Sequence, residues 1–396
     1  MKKTEKFTGN AGRLGTSVRS DCFVEVSVGT SGGISVHLTS KVHALYGTSI
    51  RKQVTDYLKH CGVHHASVVM EDQGAVPFVI AARLETALAR SGHHSKEKEP
   101  DSKRKKISLP DKHRMRRTRL YLPGNEPHYF LNAALHRPDA IILDLEDSVS
   151  PSEKDSARIM VKHALQHVNF GKAERMVRIN QLPLGLEDLK QLDLNSFHTV
   201  LIPKCESVQQ IREIDSAITS ICSEKGIKRS VLLLPIIESA LGVQHAFDIA
   251  TASEWNCGLS IGLEDYTADI GVERTASGRE SLFARSAVIN AAKAAGVQAL
   301  DSVFSDVNDD AGLLESVIEA KALGFQGKGC IHPRQIILIH QGFAPSSHEI
   351  EYAQRVVDAF NEAERNGSGV TVLGSKMIDA PVVKRAQHIL SLQKLS

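Results

Sequence analysis

Eight short apolar runs, each followed by an amphipathic stretch of helical period, recur through the last 280 or so of these 396 residues and constrain the fold more than any other feature. They are Thr118–Leu122, Ala140–Leu145, Met176–Ile179, Thr199–Pro203, Val231–Ile237, Gly258–Gly262, Gln298–Val303 and Gly327–Ile331. Eight βα units in this length predict an α/β chain folded as a (β/α)8 TIM barrel. The open, doubly wound sheet is the alternative, but no G-x-G-x-x-G follows the first run.

The chain before the barrel reads differently. Strand-like pieces at Cys22–Val28, Gly33–Leu38 and Ala66–Met70 alternate with helical patterns at Ile50–Cys61 and Val79–Arg90, and a turn falls at Asp72–Gly74. This predicts a small α+β domain over residues 1–91. Residues 92–115 lack apolar periodicity and are rich in charge, so they read as a flexible linker. The basic run Lys103–Lys106 fits solvation of that tether more simply than a nuclear signal or an anion patch. The barrel domain is then 116–396.

A formal charge of +2 gives no global reason to expect nucleic acid or an anionic membrane as partner. The six cysteines form no C-x-x-C pair and no zinc-like spacing, which predicts buried, reduced thiols. The amino terminus has no apolar core of a signal peptide, and the chain reads as cytoplasmic.

In a barrel of this kind the residues just after each strand converge on the carboxyl-terminal face, where such enzymes do their chemistry. Here they include Glu146, Asp147, Lys204, Glu238, Glu264, Asp265 and Asp301. Glu238 and Asp265, on neighbouring strands, suit Mg2+, which takes hard oxygen ligands and often only one or two carboxylates. Arg178 and Arg117 offer planar guanidinium groups for substrate carboxylates. A small polycarboxylate bearing a hydroxyl or keto oxygen, cleaved at the adjoining carbon, is the implied chemistry. Glu146 and Asp301 are candidate acids or bases. Each residue also has a purely structural explanation: Asp147, Ser148 or Ser239 as helix caps, and Arg178 as a paired ion inside the barrel.

The segments Arg116–Gly124, Leu143–Val149, Glu153–Arg158, Val177–Asn180, Ile237–Gly242, Gly262–Tyr266, Leu282–Ser286, Asp301–Asp306, Gly324–Lys328 and His332–Gln335, in this order, resemble the citrate lyase β-subunit, a malate-synthase-like, HpcH-type family of metal-dependent carbon–carbon lyases. The resemblance implies a barrel, Mg2+ on Glu238 and Asp265, oxaloacetate-type carboxylates met by Arg178 and Arg117, and a homo-oligomer, a trimer or a multiple of it. From Gly9 to about Ser91 the chain resembles the acyl carrier γ-subunit of citrate lyase, through Ser20-Asp21-Cys-Phe-Val, Tyr46–Arg51, Val68–Ala75 and Ala81–Arg90. That family carries a phosphoribosyl-dephospho-CoA arm on a serine. Alignment on Asp21 puts Arg19 at the usual attachment position and Ser20 just after it, so Ser20 is the expected site and Ser17 the alternative. The implied activity is cleavage of a citryl thioester on the arm to oxaloacetate and acetyl thioester, with a separate α-subunit acting as acyl transferase. A malyl- or citramalyl-CoA-type lyase or thioesterase, and a non-catalytic carrier scaffold, are the alternatives.

Overall fold

The computed structural model describes residues 7–93 and 107–393. Residues 94–106 of the expected linker, with the Lys103–Lys106 run, lie outside the described residues. The amino-terminal module has strands β1 (Phe7–Ala11), β2 (Cys22–Val28), β3 (Ile34–Ser40) and β4 (Ala66–Asp72), in sheet order β1-β2-β4-β3. Two helices, α1 (His43–His60) and α2 (Pro77–Arg90), cover the sheet. Alternation does the sorting: Cys22, Val24 and Val26 of β2 and Val68 and Met70 of β4 point inward and are buried. Helix α1 buries Gly47, Ile50, Val54 and Leu58, one stripe at helical spacing.

The barrel strands are β5 (Thr118–Pro123), β6 (Ala140–Asp144), β7 (Glu174–Arg178), β8 (Thr199–Ile202), β9 (Leu232–Ile237), β10 (Gly258–Ile261), β11 (Gln298–Leu300) and β12 (Lys328–Cys330). They are parallel, run in sequential order from β5 to β11, and β12 lies beside β5. A bridge between Asp301 and Lys328 joins the two ends, so the eight expected runs close into a barrel. The strands are buried on both faces, because helices cover the outside and side chains fill the inside. Ile142, Met176, Leu201, Leu234 and Leu300 belong to the inner packing. At the amino-terminal end Arg116 donates to Glu174 at 2.8 and 3.0 Å, with both side chains fully buried.

Helices on the barrel include α3 (Pro127–Phe130), α4 (Lys154–His167), α5 (Leu184–Gln191), α6 (Val208–Glu224), α7 (Ala240–Gln244), α8 (Ala246–Thr251), α9 (Leu263–Asp269), α10 (Leu282–Ala294), α11 (Asp310–Leu323) and α12 (Gln335–Phe343). Beyond them α13 (Ser347–Arg365), a hairpin of β13 (Thr371–Leu373) and β14 (Lys376–Ile378), and α14 (Ala380–Gln393) share a small core of Val356, Phe360, Ile378 and Val383. No helix of the described residues is long and apolar enough to cross a membrane. All six cysteines are buried and free, as the sequence suggested.

The module is docked on the barrel through α2, which packs along α4. Nine of its fourteen residues are buried, because it is covered by the module on one side and by the barrel on another. Ile80, Leu84, Ala87 and Leu88 pack into the module core, whereas Phe78, Val79 and Ala82 join the barrel core. Arg83, 2% exposed, donates from Nε and Nη2 to both carboxylate oxygens of Asp21, at 2.9 and 2.7 Å. Its remaining donors cross to the barrel, reaching Ser156 Oγ at 2.7 Å and the Asn125 carbonyl at 3.2 Å. Arg90 grips Asp155 and Glu153, and Glu85 accepts from Lys162 at 2.5 Å and meets His163 at 2.7 Å.

Candidate active site

Glu238 follows the last residue of β9 and lies in a cavity of about 300 Å3 at the carboxyl-terminal end of the barrel. Its Oε1 accepts a hydrogen bond of 2.6 Å from the Lys204 backbone N–H. Lys204 aims that N–H from a left-handed turn after β8, at φ +45°, an unusual conformation for a residue with a Cβ. The other oxygen needs Gly262: a Cβ there would stand 2.4 Å from Glu238 Oε2. Glycine after β10 therefore makes the space in which this carboxylate sits.

Burial pushes the Glu238 carboxyl up to about 8; the Lys204 N–H opposes this and the nearby Asp265 adds to it. A cation among these side chains favours the charged carboxylate. Lys204 supplies one, its Nζ lying 3.0 Å from Glu146, 3.2 Å from Asp147 and 3.6 Å from Asp265. These carboxylates hold the ammonium more basic than usual against the effect of its partial burial. Glu264, beside Asp265, instead accepts from Arg274 at 2.7 Å. The first turn of α9 thus sends its two acidic side chains to different partners.

Arg178, at the end of β7, is engaged by the protein. Its Nε and Nη2 donate to both oxygens of Asp144, at 2.6 and 2.7 Å, and Nη1 lies 3.0 Å from Glu146 Oε2. Burial disfavours its charge, yet Asp144 holds it strongly protonated. Asp301 is fully buried on the cavity wall, its Oδ2 2.7 Å from Lys328 Nζ and 3.3 Å from Arg285 Nη2. Burial raises its pKa, but these two cations win and hold it below the usual carboxylate range. Its Oδ1 has no hydrogen-bond partner among the described residues.

The structure brings Arg178, Glu146, Glu238, Asp265 and Asp301 to one end of the barrel but not Arg117. That expectation is corrected. Arg117 precedes β5, whose far end reaches the cavity at Pro123, roughly 20 Å away at about 3.3 Å per residue. It donates from its backbone N and Nε to Asp139 Oδ2 and from Nη2 to Oδ1, an ion pair at the amino-terminal end. Lys204 was named in the sequence without a role, and Asp144, the partner of Arg178, was not singled out. Of the expected caps, Ser239 does accept from the Gly242 N–H at the start of α7, at 3.1 Å.

A second cleft, of about 690 Å3, lies between the module loop around Ser17 and Arg19 and the barrel segment from Pro123 to Tyr129. Pro123 and Ser148 line both cavities. Ser17 is exposed and lines the cleft. Ser20 is half-buried, has φ +52°, and donates its backbone N–H to the Gln73 carbonyl at 3.2 Å.

Residues 117–333 match the family model described as HpcH/HpaI aldolase/citrate lyase, and residues 10–91 match one described as malonate decarboxylase delta subunit, an acyl carrier protein model. Citrate lyase subunit beta of Haemophilus influenzae is 44% identical over 71% of this chain and 98% of its own length. Human mitochondrial citramalyl-CoA lyase is 32% identical over 70% of this chain and 85% of its own. Among solved structures, the CitE protein of Mycobacterium tuberculosis in complex with magnesium, acetoacetate and coenzyme A is 31% identical, with a TM-score of 0.60, over 71% of this chain and 98% of that one.

Proposed function

Since the chain belongs to the HpcH/HpaI aldolase/citrate lyase family and is a lyase of citrate lyase beta type, we propose that it cleaves a citryl thioester, held on a carrier arm, to oxaloacetate and acetyl thioester. The observation that carries this reading is one cavity lined by the buried Glu238 and the part-exposed Asp265, with Arg178 in its wall. Among the described residues no three His, Cys, Asp or Glu converge as a ligand set, and two carboxylates suffice for Mg2+. Glu238 and Asp265 would hold it, with Gly262 leaving room for the first. The ion supplies Lewis acidity toward a hydroxyl and an adjacent carboxylate oxygen. The complex of CitE with magnesium and acetoacetate supports both ion and ligand class.

Arg178 binds a substrate carboxylate, exchanging Glu146 for it while Asp144 keeps the guanidinium aimed. Asp301 Oδ1 accepts the proton of the tertiary hydroxyl. The bond from the carbinol carbon to the thioester methylene then breaks, its electron pair forming the thioester enolate as the hydroxyl oxygen becomes the keto oxygen. Return of that proton from Asp301 to the enolate carbon gives acetyl thioester and restores the carboxylate. Glu146 positions Arg178 and Lys204 rather than meeting substrate, because it is buried behind them.

In this reading residues 1–91 are the carrier, 92–115 a tether and 116–396 the lyase. A phosphoribosyl-dephospho-CoA arm sits on Ser20, or on Ser17, and a separate α-subunit exchanges the acyl group. Leu241, Phe247 and Phe283, exposed on α7, α8 and α10, support self-association, for which the resemblance implies a trimer or a multiple of it. Arg19 at the usual attachment position favours a second reading, in which a free CoA thioester replaces the arm. Glu238→Gln and Asp265→Asn test the assignment: both should fold and lose cleavage by at least about a hundredfold. Full activity in both would refute it. Intact mass of the chain from its own host shows whether Ser17 or Ser20 carries an arm.

A further inference from the structure

The cavity at Glu238, about 300 Å3, has room for a small polycarboxylate but not for the long chain that bears its thioester. The cleft of about 690 Å3 begins where that cavity ends, at Pro123 and Ser148. One of its walls belongs to the module and the other to the barrel. Arg83, buried and bonded to both, keeps the walls together. Arg13 in the cleft is paired with Glu126 on the opposite wall. Arg19 is exposed to the cleft, and among the described residues no side chain holds its guanidinium. A free guanidinium presents paired, planar donors that match phosphate oxygens.

We propose that this cleft binds a phosphate-bearing pantetheine chain, with Arg19 as its phosphate ligand, and directs the thioester end over Pro123 and Ser148 into the Glu238–Asp265 cavity. The inference rests on the thioester reading above. An arm anchored at Ser17 or Ser20 and a free coenzyme offer the same chemistry to the cleft. The docked module is then half of a binding site, and the thioester travels a fixed track in cis.

The test is calorimetric titration of 3′-dephospho-coenzyme A into the full chain, purified from a host without an arm-attaching enzyme and shown by mass to be unmodified. Arg19→Glu should weaken binding about tenfold or more, the scale of one charge-assisted hydrogen bond. Arg19→Lys should recover part of the loss. Pantetheine, which lacks phosphate, should bind wild type and Arg19→Glu alike. Arg19 is exposed and has no partner among the described residues, so folding is not at risk. Equal affinity of wild type and Arg19→Glu for dephospho-coenzyme A, or no binding to wild type, overturns the proposal. The titration reads no cleavage, so failure of the reaction assignment at Glu238 or Asp265 is seen separately. Mass of the chain from its own host assigns the source: an adduct on the Ser17–Ser20 peptide marks a tethered chain, a bare peptide a free coenzyme.

Discussion

Replacing Arg83 by Leu should loosen the module and its seat on the barrel together. The side chains of Arg83 and Asp21 are 2% and 5% exposed, and two hydrogen bonds of 2.9 and 2.7 Å join them. Removing one member of such a pair leaves an uncompensated buried charge, which costs about 3–5 kcal/mol. Asp21 Oδ1 keeps only the Cys22 N–H, at 2.8 Å, while Ser156 Oγ and the Asn125 carbonyl also lose a donor. At about 1.4 kcal/mol per tenfold, the loss corresponds to roughly two to four powers of ten in local opening. Hydrogen exchange followed by peptide mass spectrometry should show β2 and β4 of the module exchanging faster by that factor, along with the start of α4. The double variant Arg83→Leu/Asp21→Asn should recover part of the protection, because the buried charge is gone. Exchange in Arg83→Leu within threefold of wild type would refute the argument that this pair fastens the module.

Gly262→Ala should displace Glu238, since the new Cβ would lie 2.4 Å from its Oε2 and 2.9 Å from its Cβ. Overpacking of this kind costs about 1–3 kcal/mol, and Mg2+ dependence of cleavage should shift to higher concentrations. Arg117→Ala should lower thermal stability without changing KM, because its partner is Asp139 and not the substrate. A raised KM with unchanged folding would put Arg117 back at the site. Glu85 lies between α2 and α4 with its carboxyl pulled down to about 2: burial raises it, but His163 and Lys162 prevail. A depressed carboxylate contributes stability that is present above its unfolded pKa of about 4.5 and is lost as pH falls toward 2. Wild type should therefore lose protection of α2 through that window, and Glu85→Gln should lose less over the same range.

The barrel was legible because each strand is a compact apolar run, and the eight expected runs overlap the eight observed strands. Strand β1 was not legible: Phe-Thr-Gly-Asn-Ala has no apolar run, and it is an edge strand held by its pairing with β2. Its Gly9 permits the close approach of α2, since a Cβ there would meet the Ala87 carbonyl at 2.2 Å. Helix α1 starts at His43, before the expected Ile50, because its first turns carry exposed residues such as Leu45 and show no periodicity. At the site, position after a strand was enough to expect Glu238, Asp265 and Asp301 at the cavity end of the barrel, where they lie. Arg117 failed because charge and a neighbouring strand do not tell which end of the barrel a residue occupies. The role of Asp144 was hidden because only the fold pairs the end of β6 with Arg178 of β7.

Metal-assisted carbon–carbon cleavage at the Glu238–Asp265 cavity is the reaction proposed for this chain. Its most direct test is to incubate the purified chain with citryl-coenzyme A, with Mg2+ or with a chelator, and to identify the products. Oxaloacetate, measured by NADH oxidation through malate dehydrogenase, and acetyl-coenzyme A should form in equal amounts, and only when Mg2+ is present. Citrate and free thiol as the products, or cleavage undiminished by the chelator, would contradict it.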